Sequence, residues 1–286
     1  MSGARRITLC ADDYGISEGV NRAIRDLIER RRLNATSVMV VGPAADHGEA
    51  GALSRVAANG DCEIGLHVTL TAPFSPLTMH FRPLDGGMFW PLGKLLRTAL
   101  LRRLDSEFVY AEVTAQIVLF RELFGAPPAY LDGHQHVQLF PQIRDGFIRA
   151  AHDATPRAWA RQCGRTHASL RPDNPRVNPK AMLLDALSAT FRKRCAGSGL
   201  RTNPAFAGAY DFRTLPGFDG LMRDFLAPLP DGGLVMCHPG FVDDTLRSLD
   251  PLTDQREREH AFLASDDFPR LLDELGISLD RGMRAL

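Results

Sequence analysis

A single-domain, distorted (β/α) barrel spanning residues 1–286 is the fold this sequence predicts, TIM-barrel-like with about seven to eight βα units. Three observations carry that prediction. Short β-branched runs alternate with helical apolar patterns from end to end. The best-defined runs stop at polar residues able to do chemistry, as strands of a parallel sheet do where their carboxyl ends gather. Nothing in the composition marks a linker, a low-complexity segment or a solenoid repeat.

The first run, Ile7-Thr8-Leu9-Cys10-Ala11, ends on Asp12 and Asp13 and then Tyr14-Gly15. Its apolar length and glycine stop read as a buried strand. Val20, Ala23, Ile24, Leu27 and Ile28 behind Ser17 read as a helix with its N-cap. Residues 35–41 predict a second strand, 44–59 a helix, and 62–70 a third strand with His67 near its end. Residues 71–91 hold Pro73, Pro76, Pro83, Gly86-Gly87 and the exposed-looking Phe74, Phe81, Phe89 and Trp90, with little periodicity. A stretch of this length without structure of its own predicts a long active-site loop.

Helical patterns follow at 92–104 and 106–124, the second stopped by Gly125-Ala126-Pro127-Pro128. Residues 129–136 repeat the opening design, a short apolar strand ending in Asp132, His134 and His136, with a helix from Gln142 onward. Beyond Thr155 the spacing predicts a strand at 157–162 with Trp159 buried, a helix at 180–195, loop or strand at 202–210 and a helix at 216–226. The clearest late strand, Gly233-Leu234-Val235-Met236-Cys237, ends in His238. Helices at 254–264 and 268–275 and a last strand at 277–279 complete the pattern.

Lys plus Arg and Asp plus Glu are equal at 34 each, so no net charge recommends nucleic acid as a partner. The local basic clusters lie at helix ends and read as solvated faces. Five cysteines without framework spacing read as reduced core thiols of a cytoplasmic protein. The N-terminus shows no apolar signal segment, and no run is long enough to span a bilayer. Stable membrane insertion is therefore not expected, and a homodimer is left open.

Two neighbouring carboxylates repel unless a cation or a shared proton intervenes, so Asp12-Asp13 asks for one or the other. Asp12, Asp13, His67, His134, His136 and His238 all fall at predicted strand ends, which converge on one mouth in a barrel. Four of the nine histidines are placed this way. In extended chain the i, i+2 spacing of His134 and His136 puts both imidazoles on one side. Joined to a carboxylate from another strand, they make a mixed nitrogen and oxygen set suited to zinc, manganese or another divalent ion with open positions. If the strand persists to that point, alternation turns Asp12 and Asp13 to opposite sides, so that one can bind metal while the other remains free as a base. The residues alone do not choose between His134 and His136.

Ala11-Asp12-Asp13-Tyr14-Gly15, Ile64-Gly65-Leu66-His67, Leu131-Asp132-Gly133-His134-Gln135-His136 with Phe140-Pro141-Gln142, and Met236-Cys237-His238-Pro239-Gly240 together resemble the YdjC-like carbohydrate deacetylases, the ChbG/HpnK group. The resemblance implies a distorted barrel with one divalent metal ion, Mg²⁺ or Zn²⁺. It implies Asp13, His67 and His134 as the ligands and Asp12 as general base. On those roles His238 protonates the departing amine, while His136, Asp132, Tyr14 and Phe241 contact substrate or orient the ligands. The implied reaction removes the acetyl group from an N-acetylated amino sugar, a chitooligosaccharide or a lipid-linked N-acetylglucosamine. Other readings are a metal-dependent amidohydrolase or phosphoesterase with another substrate, and a metal- or sugar-binding barrel without turnover.

Overall fold

The computed structural model describes residues 4–165, 179–210 and 217–279. Strand β1 (Arg5–Arg6) leads into β2 (Thr8–Tyr14), whose seven residues are all buried. Helix α1 (Glu18–Glu29) follows, with Ser17 accepting a hydrogen bond from the Val20 amide at 3.3 Å. Then come β3 (Ala35–Val38), α2 (His47–Gly60), β4 (Glu63–Val68), α3 (Leu92–Leu100), α4 (Ser106–Phe124) and β5 (Tyr130–Gly133). A 3₁₀ segment, His134–Leu139, joins β5 to α5 (Ile143–Ala154). The chain continues through β6 (Trp159–Ala160), α6 (Pro179–Gly197), β7 (Phe206–Ala207), α7 (Phe218–Leu226) and β8 (Leu234–Cys237). It ends in α8 (Asp244–Leu249), α9 (Asp254–Ala264), α10 (Asp267–Leu275) and β9 (Ile277–Ser278).

Seven parallel strands form one sheet in the order β6-β5-β4-β3-β2-β8-β7, which places the first strand, β2, beside the last, β8. Strands buried on both faces need near-continuous apolar runs, which is why β2, β4 and β8 are legible in the sequence. The sheet curls into a distorted (β/α) barrel whose seam lies between the two short strands β6 and β7. Irregular backbone bridges that seam: the Ala160 amide donates to the Arg201 carbonyl at 2.8 Å and the Phe206 amide to the Gly164 carbonyl at 3.2 Å. Two-residue strands follow from this, since the ladder is shared with loop backbone. The predicted strand at 157–162 is accordingly cut to Trp159–Ala160. The predicted last strand, at 277–279, does not enter the barrel; β9 pairs with β1 in a separate two-stranded sheet. Helix α8 has no counterpart among the predicted elements, because six residues are too few to show a helical period. Of the helix expected at 216–226, Pro216 lies outside the described residues.

Loop 71–91 is packed, contrary to the exposed reading of its aromatics: Phe74, Phe81 and Phe89 are buried, and Phe81 meets Phe89 edge to face at 5.0 Å. Buried Glu112 on α4 holds the loop by accepting from the Leu77 and Thr78 amides and the Thr78 hydroxyl at 3.0, 2.9 and 2.7 Å. Gln116, one turn on, pairs with both backbone groups of Thr69 at the end of β4.

After β8 the backbone is tied to α1. Asp243 caps α8 through the Leu246 amide at 2.8 Å and accepts from the Gly19 amide at 2.6 Å. A side chain at Gly19 would stand 2.2 Å from the Phe241 carbonyl, so only glycine allows this approach. Burial pushes the Asp243 carboxyl up, but the Leu246 and Gly19 amides outweigh it and hold it below its ordinary value of 3.8. Its contribution to stability is thus present above that value and lost as pH falls below it. Asp243→Ala is expected to cost about 1–2 kcal/mol in urea unfolding at pH 7. The gap from the parent protein should narrow in acid.

Candidate metal centre

The site begins with a break in the pleat at the end of β2. The register of β2 with β3 shifts between Ala11 and Tyr14, and Asp13 has a φ of 70°. Bulges of this kind re-aim side chains beside functional sites, and aspartate tolerates the left-handed conformation better than most residues. The strict alternation expected for Asp12 and Asp13 therefore does not hold. Both carboxylates are buried at the carboxyl end of the sheet, each in a different set of contacts.

Asp13 gathers the histidines. Its Oδ1 lies 3.3 Å from His67 Nε2 at the end of β4 and 3.1 Å from His134 Nδ1 just past β5. The two imidazoles meet edge to face at 5.4 Å, and Phe74 of the long loop stands edge-on to His134 at 6.1 Å. Asp132 accepts from His67 Nδ1 at 2.6 Å, which fixes the tautomer and turns Nε2 toward Asp13. One nitrogen from each histidine and one Asp13 oxygen all lie within 4.8 Å of one another. Two imidazole nitrogens and a carboxylate oxygen, one imidazole already backed by a carboxylate, fit a divalent ion of the zinc type.

Asp12 has different company. Arg161, fully buried just past β6, donates to both its oxygens at 2.7 and 2.6 Å. The same guanidinium is ion-paired with Asp132 and reaches Cys10 Sγ at 3.0 Å and Ser37 Oγ at 3.2 Å. Cys10, Asp12 and Asp132 are close enough together to suit an ion, but Arg161 is the cation they hold. Asp12 is therefore not the free carboxylate expected from alternation. Burial pushes its pKa up, yet Arg161 and then His67 outweigh burial and bring it down to about 2.

Asp13 also has an arginine. Arg256 of α9 is fully buried and donates to Asp13 Oδ2 at 2.6 Å. Burial raises the Asp13 carboxyl, and Arg256 followed by His134 overrides it, leaving it well below the usual carboxylate range. Burial likewise lowers His67, but Asp132, Asp12 and Asp13 prevail and lift it to about 10. The acid pair that asked for a metal or a shared proton thus has a third answer, one buried arginine for each member.

The other expected residues divide. His238 lies half-buried after β8, its amide donating to buried Glu259 of α9 at 2.5 Å. His136 does not join His134: Gln135 and His136 both have positive φ, at 55° and 60°, so the extended chain that would align them is absent. Its Nδ1 instead meets Cys163 Sγ at 3.4 Å and its ring packs edge-on against Phe206. Burial and then Arg161 push His136 down to about 3, leaving it neutral. Tyr14 is turned toward the helices, its hydroxyl donating to Glu49 and accepting from Arg25. Phe241 packs on His260 of α9 at 4.5 Å, and His260 in turn binds Asp26 of α1. Neither aromatic is brought into the cluster of aspartates and histidines. Arg161 is detectable in principle as a charge inside a predicted strand; Arg256 and Glu259 sit in a charge-rich helix where nothing local sets them apart.

A family model described as YdjC-like protein matches residues 6–274. Among solved structures, an Enterococcus faecalis V583 protein provisionally named for cellobiose-phosphate cleavage has a TM-score of 0.74 at 20% identity, with 97% of each chain covered. The lactam utilization protein of Thermus thermophilus has a TM-score of 0.51 at 16% identity, covering 97% of this chain and 100% of its own. A Streptococcus mutans CE4 esterase has a TM-score of 0.50 at 13% identity, with 96% of this chain and 84% of its own covered. At these identities the structural likenesses speak for the fold. The family match spans nearly the whole chain and includes every residue of the cluster: this protein belongs to the YdjC-like family.

Proposed function

We propose that the protein is a metal-dependent carbohydrate N-deacetylase, hydrolysing the acetamide of an N-acetylated amino sugar to acetate and the free amine. The observation that carries this reading is the convergence of Asp13, His67 and His134 at the barrel mouth with a second acid, Asp12, beside them. The CE4 esterase with a similar fold is in keeping with the same class of chemistry.

Asp13, His67 and His134 would hold one divalent ion, Zn²⁺ or Mg²⁺. Such an ion supplies Lewis acidity, polarising the acetyl carbonyl and lowering the pKa of water. Asp132 keeps His67 oriented by accepting its Nδ1 proton. Asp12, held ionised by Arg161, is always in the form that accepts a proton, here the proton of the attacking water. A carboxylate of low pKa is a weak base, so Arg161 favours fixed geometry over basicity. His238 gives a proton to the departing nitrogen. Phe74 of the long loop stands edge-on to His134 at 6.1 Å.

The first test is acetate release from N-acetylglucosamine oligomers and conjugates after chelation and metal add-back. Release that stops on chelation and returns with one equivalent of a divalent ion is expected. No acetate from any N-acetyl sugar, with hydrolysis of a cyclic amide or phosphate ester instead, would replace this reading with that substrate class. Sugar binding without turnover would leave a binding barrel.

Asp13→Asn should lose the bound ion, read by elemental analysis. Asp12→Asn should keep it while turnover falls about 10²–10⁴-fold, the usual worth of general base help. Loss of the ion from Asp12→Asn in place of Asp13→Asn would reverse the two roles. Arg161→Met leaves Asp12 and Asp132 buried without their shared cation, and denaturant unfolding should show a loss of about 3–5 kcal/mol.

A further inference from the structure

Helix α9 opens on a charge-rich segment, Asp254-Gln255-Arg256-Glu257-Arg258-Glu259-His260. The structure divides those charges. Asp254, Glu257 and Arg258 are exposed, while Arg256 and Glu259 are buried. Their i, i+3 spacing puts both on one helix face. Glu259 takes the His238 amide and the Tyr210 hydroxyl, at 2.5 and 2.7 Å. Arg256 is secured from behind, its Nε donating to the Leu252 carbonyl at 3.0 Å and its Nη2 to Asp250 at 2.6 Å. The same Nη2 reaches Asp13 Oδ2 at 2.6 Å. Gly240 packs on its stem: a side chain there would stand 3.2 Å from Arg256 Cδ, and the Gly240 amide donates to the Arg256 carbonyl at 3.1 Å.

We propose that Arg256 is the positioning residue of the metal centre: it pins Oδ2 of Asp13 so that Oδ1 alone is presented between His67 and His134. The proposal rests on the metal-centre reading given above. A carboxylate on a short side chain can turn about its terminal bond, and the register of β2 with β3 is broken between Ala11 and Tyr14, where Asp13 lies. Arg256 supplies the restraint from outside the strand, and its other anchors keep the guanidinium in place when Asp13 is occupied. Its positive charge acts the other way, opposing a dication, so positioning and charge make opposite demands on a substitution.

The test is titration of metal-free protein with Zn²⁺, with affinity read by calorimetry well below the melting temperatures of the metal-free proteins. Arg256→Lys keeps the charge but loses the rigid fork in which Nε binds the Leu252 carbonyl while Nη2 binds Asp13 and Asp250. It is expected to weaken zinc binding about 10–100-fold, the usual effect of losing a partner that orients a ligand. Arg256→Met should weaken it at least as much. If Arg256→Lys matches the parent protein, or Arg256→Met binds zinc more tightly, positioning is overturned. Should Arg256→Met fail to fold, Arg256→Lys alone decides. A parent protein that binds no divalent ion overturns the metal-centre reading itself, whatever the variants do.

Discussion

Two adjacent carboxylates buried at the end of one strand are the constraint around which this protein is built. Desolvation and mutual repulsion both work against a pair of ionised aspartates in an interior, and an uncompensated buried charge costs several kcal/mol. The structure meets the demand with two buried arginines from distant parts of the chain, Arg161 after β6 for Asp12 and Arg256 on α9 for Asp13. Because each acid has its own cation, neither must be protonated. Against burial, His67 is raised to about 10 by Asp132, Asp12 and Asp13 and adds a further positive charge to this balance.

The arrangement explains several otherwise arbitrary features. Asp132 serves two groups, the His67 ring and the Arg161 guanidinium, and so links the cluster around Asp13 to the charge network around Asp12. A side chain at Gly240 would crowd Val20 Cγ2 at 3.0 Å and the stem of Arg256 at 3.2 Å. Gly65 must lack a side chain because the Tyr130 ring, stacked on Trp159, lies across β4. Loop 71–91 is anchored by Glu112, which sets Phe74 against His134. Positions that look like turn or motif residues are thus packing solutions beneath the charged centre.

These features bear on the proposed hydrolysis. On that proposal holding is separate from proton transfer: Asp13 and the histidines would hold the ion, and Asp12 and His238 would move protons. The low pKa of Asp12 is the consequence of a network that gives up basicity for a fixed orientation. Among the described residues no helix is long and apolar enough to cross a membrane.

The sequence by itself determined the alternation of strands and helices and the barrel class, and it marked Asp12, Asp13, His67, His134, His136 and His238 as candidates without choosing between His134 and His136. Buried parallel strands write continuous apolar runs, and chemistry placed at their ends stands out against them. It misleads on local geometry in two places, since a regular pleat carried through Asp13 and through His136 is broken there by positive φ. Tyr14 and Phe241 stand beside motif residues in the chain yet point away from the cluster, because neighbours in sequence need not face the same way. Only the tertiary structure decided which charges face which: Arg161, Arg256 and Glu259 come from segments with no motif of their own. Their partners lie 149, 243 and 21 positions away along the chain. Pairing over such separations depends on how helices and strands pack, and no local pattern records it.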